Sequence, residues 1–169
     1  GSLNDTWEWD GETWTQRMPA ISPPDRRDHA VVYDTIRQRV VLFGGGDSKV
    51  NSVYLNDTWE WDGVTWTERT PSISPPARVY HTMVYDAARQ RVLLSGGYGE
   101  NDLWEWNGTR WRLLINFTFT KPDTRIGAAL AYEAEDSFLL FGGHGRGSDN
   151  ATYRWHGRGW RQVTPFHSP

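Results

Sequence analysis

Apolar positions along the chain fall in short runs that recur in a fixed order, each too short for a helix and each bounded by turn-forming residues. "RRDHAVVYD" (26–34), "RVYHTMVYD" (78–86) and "RIGAALAYE" (125–133) open three such sets, and "RVVLFGG" (39–45), "RVLLSGG" (91–97) and "SFLLFGG" (137–143) follow them. The second group is almost continuously apolar, which predicts strands buried on both faces. Next comes strict alternation, as in "TWEW" (58–61), which puts Trp59 and Trp61 on one face and Glu60 on the other. Asp10-Gly11, Asp62-Gly63, Asn107-Gly108 and, more weakly, His156-Gly157 then read as two-residue hairpin turns, followed by a fourth run of the "TWTERTP" type. The pattern therefore predicts units of four strands, here called A, B, C and D, and no segment has helical periodicity. The paired glycines Gly44-Gly45, Gly96-Gly97 and Gly142-Gly143 are read as ending strand B, where positive φ or close approach of another strand excludes a side chain.

The period accounts for the unusual composition. Trp9, Trp61, Trp106 and Trp155 form one column, spaced 52, 45 and 49 residues apart, and Trp14, Trp66, Trp111 and Trp160 form a second with the same spacings. Trp7, Trp59, Trp104 and Tyr153 form a third, so all eleven tryptophans belong to the repeat. A structural role between strands is the reading this repetition favours for each of them. Some columns break in the last unit: Ala128 stands where the others have His29 and His81, Glu133 replaces Asp34 and Asp86, and Arg154 replaces Glu60 and Glu105.

Four strands per unit, the double glycine, the tyrosine closing strand A and the tryptophans around a hairpin resemble the kelch repeat from Leu3 to Thr164. The resemblance implies an all-β, kelch-type β-propeller whose four-stranded blades stack face to face, with tryptophans between neighbours. One domain of residues 1–169 is expected, divided into a C–D half blade (3–25) and blades at 26–77, 78–124 and 125–169. The repeat phase gives about three and a half blades, whereas propellers close with about 4 to 8. Two open blade faces are therefore expected, covered either by another copy of the chain or by the rest of a longer propeller. Two copies bring two C–D halves together, which cannot form an ordinary blade without strand exchange or an irregular seam.

Charge and chemistry narrow the function. A net charge of −3 with no basic patch gives nucleic acid no support. The absence of cysteine removes disulfides and thiolate chemistry. No apolar stretch reaches the roughly 18 residues of a spanning helix and no signal peptide is visible, so a soluble chain without a membrane partner is expected. His-Glu-x-x-His, Gly-x-Ser-x-Gly and phosphate-cradling glycine loops are all missing, so neither catalysis nor a cofactor or metal is expected.

The connection between strands B and C varies most in length, reading "GDSKVNSVYL", "YGE" and "HGRGSD", and variable loops on a rigid scaffold are where recognition resides. Asp47, Lys49, Tyr54, Tyr98, Glu100, His144 and Arg146 are the candidate contact residues. Arg26, Arg78 and Arg125, with His29 and His81, start strand A and are candidates for a cationic channel lining. The alternative is that each arginine pairs with a carboxylate such as Asp34 or Asp86, or caps backbone carbonyls. The reading is a non-catalytic module that binds a protein or self-assembles as a homodimer; the alternatives are a carbohydrate-binding propeller, since exposed tryptophans stack on sugars, and a fragment of a larger secreted propeller.

Overall fold

The computed structural model of the chain describes residues 4–47, 49–50, 53–116, 122, 124–134, 137–145 and 151–163. It is all-β: fifteen strands are formed among these residues, in four antiparallel sheets. β1 (Thr6–Trp9) and β2 (Trp14–Arg17) pair as the isolated C–D half blade. The next sheet contains β3 (Arg26–Arg27), β4 (Ala30–Asp34), β5 (Arg39–Asp47), β6 (Tyr54–Trp61) and β7 (Trp66–Arg69). The third is built from β8 (Thr82–Asp86), β9 (Arg91–Ser95), β10 (Asp102–Trp106) and β11 (Trp111–Asn116). β12 (Ala129–Ala134), β13 (Ser137–Phe141), β14 (Thr152–His156) and β15 (Trp160–Val163) make the last. Among the described residues no helix is long and apolar enough to cross a membrane.

Two local expectations need correction. The Asp-Gly and Asn-Gly pairs do not make two-residue turns: Trp9 pairs with Trp14, and Trp61 with Trp66, so each hairpin loop has four residues. The reason is side-chain capping, because Asp62 Oδ1 accepts the backbone N–H of Val64 at 2.9 Å and of Thr65 at 2.8 Å, and Asp10 and Asn107 do the same in their loops. The second correction concerns the glycines. They follow strand B in the third and fourth sheets, but β5 runs through Gly44-Gly45 with a register slip and pairs with β3, giving that sheet a fifth strand. Gly45 is required there, since a Cβ on it would lie 2.9 Å from the Arg27 carbonyl oxygen and from His29 Cβ.

The tryptophans join neighbouring sheets, as their columns predict. Each pair at a hairpin stacks across its strands, with ring centres 5.5 Å apart for Trp61–Trp66 and 5.4 Å for Trp106–Trp111. Their indole N–H groups reach back to the preceding sheet. Trp106 donates to Glu60 Oε1 at 2.9 Å and Trp111 to Thr58 Oγ1 at 2.9 Å; Trp61 donates to Glu8 at 2.8 Å and Trp66 to Thr6 at 2.8 Å. Glu60 is buried and also receives Arg37 and Arg69, so its charge is fully compensated. Hydrogen bonds of this charged kind contribute about 1.5 to 3 kcal/mol each. The apolar core is correspondingly interfacial: Val41 and Phe43 of β5 pack with Met83, Val92, Leu94, Trp106 and Trp111 of the next sheet, and Leu93 and Leu103 pack with Phe138 and Trp155.

Candidate functional site

The segment opening each strand A is where neighbouring sheets meet most closely. Asp28, Tyr80 and Gly127 share one column, and all three adopt left-handed backbone, with φ of 55°, 61° and 67°. That conformation lets the segments hydrogen-bond in series: Tyr80 N–H donates to the Asp28 carbonyl at 3.1 Å and Gly127 N–H to the Tyr80 carbonyl at 3.0 Å. Asp and Gly tolerate this region and Tyr does so at some cost. The Asp/Gly agreement was the signal in the sequence, and the tyrosine between them concealed it.

Tyr80 brings an exposed ring to this junction, next to two residues taken from the variable loops. Tyr54 begins β6 and Tyr98 follows Gly97 in the next sheet; their rings meet edge to face with centres 6.0 Å apart. Tyr98 is anchored by its N–H to the Val79 carbonyl at 3.0 Å, leaving its ring exposed. The Asp28 carboxylate beside the Tyr80 hydroxyl pushes that group's pKa up by charge and hydrogen bonding, and Tyr54 adds to the shift. Three tyrosines from two sheets thus form one cluster.

The remaining loop candidates border or lie apart from it. Asp47 Oδ1 accepts the N–H of Lys49 at 2.7 Å and of Val50 at 3.2 Å, which fixes the loop after β5. The exposed Lys49 ammonium is 3.3 Å from Asp25. Glu100 lies in the Tyr98 loop, 3.9 Å from the Arg78 guanidinium. His144 is exposed and exchanges two backbone hydrogen bonds with Ile126, at 2.9 and 3.0 Å. Arg146 lies outside the described residues.

The strand A arginines have internal partners. Arg26 donates to both oxygens of Asp57, at 2.8 and 2.7 Å, to the Gly44 carbonyl at 2.8 Å and to the Pro24 carbonyl at 3.1 Å. Arg78 repeats this with Asp102 at 2.6 and 2.8 Å, with Gly96 at 2.9 Å and with Pro76 at 3.0 Å. These are bidentate, charge-assisted pairs that fasten the start of strand A to the start of strand C. Burial alone would raise the Asp57 carboxyl, but the hydrogen bonds and charge of Arg26 hold it below the usual carboxylate range. Asp34 and Asp86 are not the partners; they cap the A–B turns, bonding Arg37 and Arg89. The pairing carboxylates sit two residues before a tryptophan and also take its indole N–H, Asp57 from Trp59 at 2.6 Å and Asp102 from Trp104 at 2.7 Å. Arg125 is buried, donates to the Gly142 carbonyl at 2.7 Å and lies over the Tyr153 ring, 5.0 Å from its centre.

The two histidines differ. His81 is buried edge-on to Phe43 at 5.6 Å, with no hydrogen-bond partner for either ring nitrogen among the described residues. Burial, reinforced by the Arg78 charge, depresses its pKa to about 3, so it is neutral at ordinary pH. His29 occupies the same column but is exposed, lining a groove beside β1.

No cluster of three or more potential metal ligands forms among the described residues. The geometry is that of a scaffold: paired charges and indoles inside, a tyrosine cluster at the surface. The family profile of the KLHDC2/KLHL20/DRC7 Kelch-repeats domain matches residues 1–168. No curated protein matches the chain. Stacked antiparallel sheets, the double glycines, the interfacial tryptophans and a profile match over nearly the whole length lead to one conclusion: the chain belongs to the kelch-repeat family.

Proposed function

We propose that the chain is a non-catalytic protein-interaction module whose contact surface is centred on Tyr54, Tyr80 and Tyr98 and bordered by Asp47, Lys49 and Glu100. The observation that carries this reading is the meeting of Tyr54 and Tyr98 at 6.0 Å, because they come from different sheets and from the most variable connections. Tyrosine supplies large, rigid, amphipathic contact area at low entropic cost and is enriched in binding hot spots. Quantitative affinity capture with the chain and with a Tyr54→Ala/Tyr98→Ala variant tests it. Proteins enriched on the chain and lost on the variant support the surface; an enriched set that the variant retains unchanged refutes it. A glycan array serves the carbohydrate alternative: saturable glycan binding abolished by the same variant would replace a protein partner with a sugar.

A second reading is self-association. Trp7, Trp9 and Trp14 are 47%, 51% and 63% exposed on the half blade, and Phe141 is 47% exposed on the last sheet. Their counterparts Trp59, Trp61, Trp66 and Phe43 are all buried; Trp61 and Trp66 bond to the neighbouring half blade and Phe43 packs on the next sheet. A second copy covering these faces is the homodimer this supports. Light scattering across a dilution series should give a mass near twice 19.5 kDa; a concentration-independent monomer would rule it out.

A further inference from the structure

Among the described residues Tyr80 is the only aromatic residue in left-handed backbone, with φ of 61°. A bulky side chain is strained there, and Asp28 and Gly127 show that the position accepts residues that relieve the strain. Burial of the ring would offset it, yet the residue is 43% exposed. Strain without compensating burial points to a contact outside the fold. Tyr98 is 58% exposed, and its ring stands at 71° to that of Tyr54, so the pair offers ring faces in two directions. All three tyrosines belong to the second and third sheets, away from both ends of the chain.

The charges around the cluster do not cancel. Arg27 lies 3.6 Å from Asp28, Lys49 lies 3.3 Å from Asp25, and Arg78 is bidentate on Asp102. Two carboxylates remain in excess. Glu100 stands two residues beyond Tyr98, with its N–H bonded to the Gly97 carbonyl at 3.3 Å, and the cation nearest it, Arg78, is already neutralised by Asp102. Asp47 follows Gly46, the residue that pairs with Tyr54, and its carboxylate accepts only backbone N–H groups among the described residues. The exposed rings are therefore bordered by net negative charge, which attracts a cation and repels an acidic partner.

We propose that this surface seats an arginine side chain of the partner protein, its guanidinium lying on the tyrosine rings and its N–H groups donating to the Glu100 carboxylate, with Asp47 adding to the attraction. This partner chemistry rests on the tyrosine contact surface proposed above. A guanidinium fits the combination because it is planar and weakly hydrated, so it stacks on an aromatic face while its fork of donors meets a carboxylate. A lysine ammonium is a compact, strongly hydrated point charge and uses the ring faces less well. The fold already contains the stacking half of this arrangement, since the Arg125 guanidinium lies 5.0 Å from the centre of the Tyr153 ring. No other cation lies over a ring among the described residues, so the faces of Tyr54 and Tyr98 are left for a partner.

The test titrates the whole protein, its tyrosine rings isotopically labelled, with the end-blocked peptide Gly-Ser-Arg-Gly-Arg-Ser-Gly and with versions carrying citrulline or lysine for arginine. The arginine peptide should give saturable shifts of the Tyr54, Tyr80 and Tyr98 ring signals. Citrulline keeps the shape without the charge, so binding should weaken at least about fivefold, and lysine should also bind more weakly than arginine. Tyr98→Leu should weaken binding at least about fivefold and Tyr98→Phe less than about twofold, because the ring face is what the guanidinium uses. Glu100→Gln should weaken it about threefold or more. Tyr80→Asn, which suits left-handed backbone, should lower the affinity with the urea midpoint unchanged or higher, which separates loss of the ring from loss of the fold. Equal binding of the arginine and citrulline peptides, lysine as tight as arginine, or unmoved ring signals would overturn the arginine seat. In the last case affinity capture separates the two failures: proteins still lost on the Tyr54→Ala/Tyr98→Ala variant leave the contact surface standing with a partner of other chemistry, and proteins retained on it refute the surface as well.

Discussion

The third and fourth sheets, β8–β11 and β12–β15, share a strand order but fasten their strands differently. In the third, Arg78, Asp102 and Trp104 form a closed set in which one carboxylate accepts from a guanidinium and an indole. In the fourth, Asp102 is replaced by Ala151 and Trp104 by Tyr153, and Arg125 lies over the tyrosine ring instead. Loss of the acceptor is accompanied by loss of the indole donor that needed it. A related exchange occurs at the A–B turn: Glu60 takes Arg37 in the second sheet, while in the fourth Arg154, which stands in the Glu60 column, donates to Glu133, in the Asp34 column, at 2.7 Å, so an ion pair between strand C and the turn is kept by a different pair of positions. What a repeat preserves is therefore the satisfied set of contacts, and single letters can change when their partners change with them.

The largest expected effect comes from opening the closed set. Asp102→Ala leaves the Arg78 guanidinium buried without its carboxylate, which should cost about 3 to 5 kcal/mol in urea unfolding. Adding Trp104→Tyr reproduces the fourth sheet's combination and should recover about 1 kcal/mol, because the indole N–H is no longer stranded. If Asp102→Ala costs under about 1 kcal/mol, the charge pair is not what holds strand A to strand C.

A second contrast lies in the histidine column, where Ala128 replaces His81. With its folded pKa depressed to about 3, His81 favours folding in its neutral form, so its contribution is intact above the unfolded pKa of about 6.5 and is lost as pH falls toward 3. The expected slope is up to about 1.4 kcal/mol per pH unit, or about 2 kcal/mol between pH 6.5 and 5. That window lies above the range in which Asp57 and Glu8 become protonated: the indole of Trp61 and then Arg17 hold Glu8 low, and Arg26 holds Asp57 low. Arg78 and, more weakly, His29 face His81 and depress it further while the Phe43 backbone and Asp102 oppose them, and His29 is itself depressed by desolvation and by Arg26. The comparison is therefore made in a His29→Gln background. His81→Ala should flatten the slope whatever it does to absolute stability; an unaltered slope would show that His81 is not the titrating group.

Strand order, the interfacial tryptophans and the alternation that buries Glu60 were legible in the sequence, because each follows from a repeated period and a two-residue alternation. The partners of the arginines were not. Arg26 pairs with Asp57 across 31 positions and Arg78 with Asp102 across 24, because the B–C connection between them changes length, so no fixed spacing marks the pair. The four-residue loops were hidden because Asp-Gly suits a two-residue turn equally well until the side-chain cap is seen. Of the loop residues, Tyr54 and Tyr98 come together while His144 pairs with Ile126, and Tyr80 was missed because it stands in a column that otherwise reads as structural.

The finest contrast is a single indole. Trp66 and Trp111 donate to Thr6 and Thr58, but Leu103 stands at the corresponding place opposite Trp160, whose Nε1 has no partner among the described residues. Leu103 is buried against Phe138 and Trp155, so that seam has kept apolar packing in place of a hydroxyl. Trp160→Phe then removes an unsatisfied donor along with some ring area, two effects of opposite sign, while Trp111→Phe removes a made bond and strands the Thr58 hydroxyl. Urea unfolding should show Trp111→Phe more costly than Trp160→Phe by about 1 kcal/mol. Equal costs would mean that the indoles act through ring area alone and that their hydrogen bonds add nothing to the joining of the sheets.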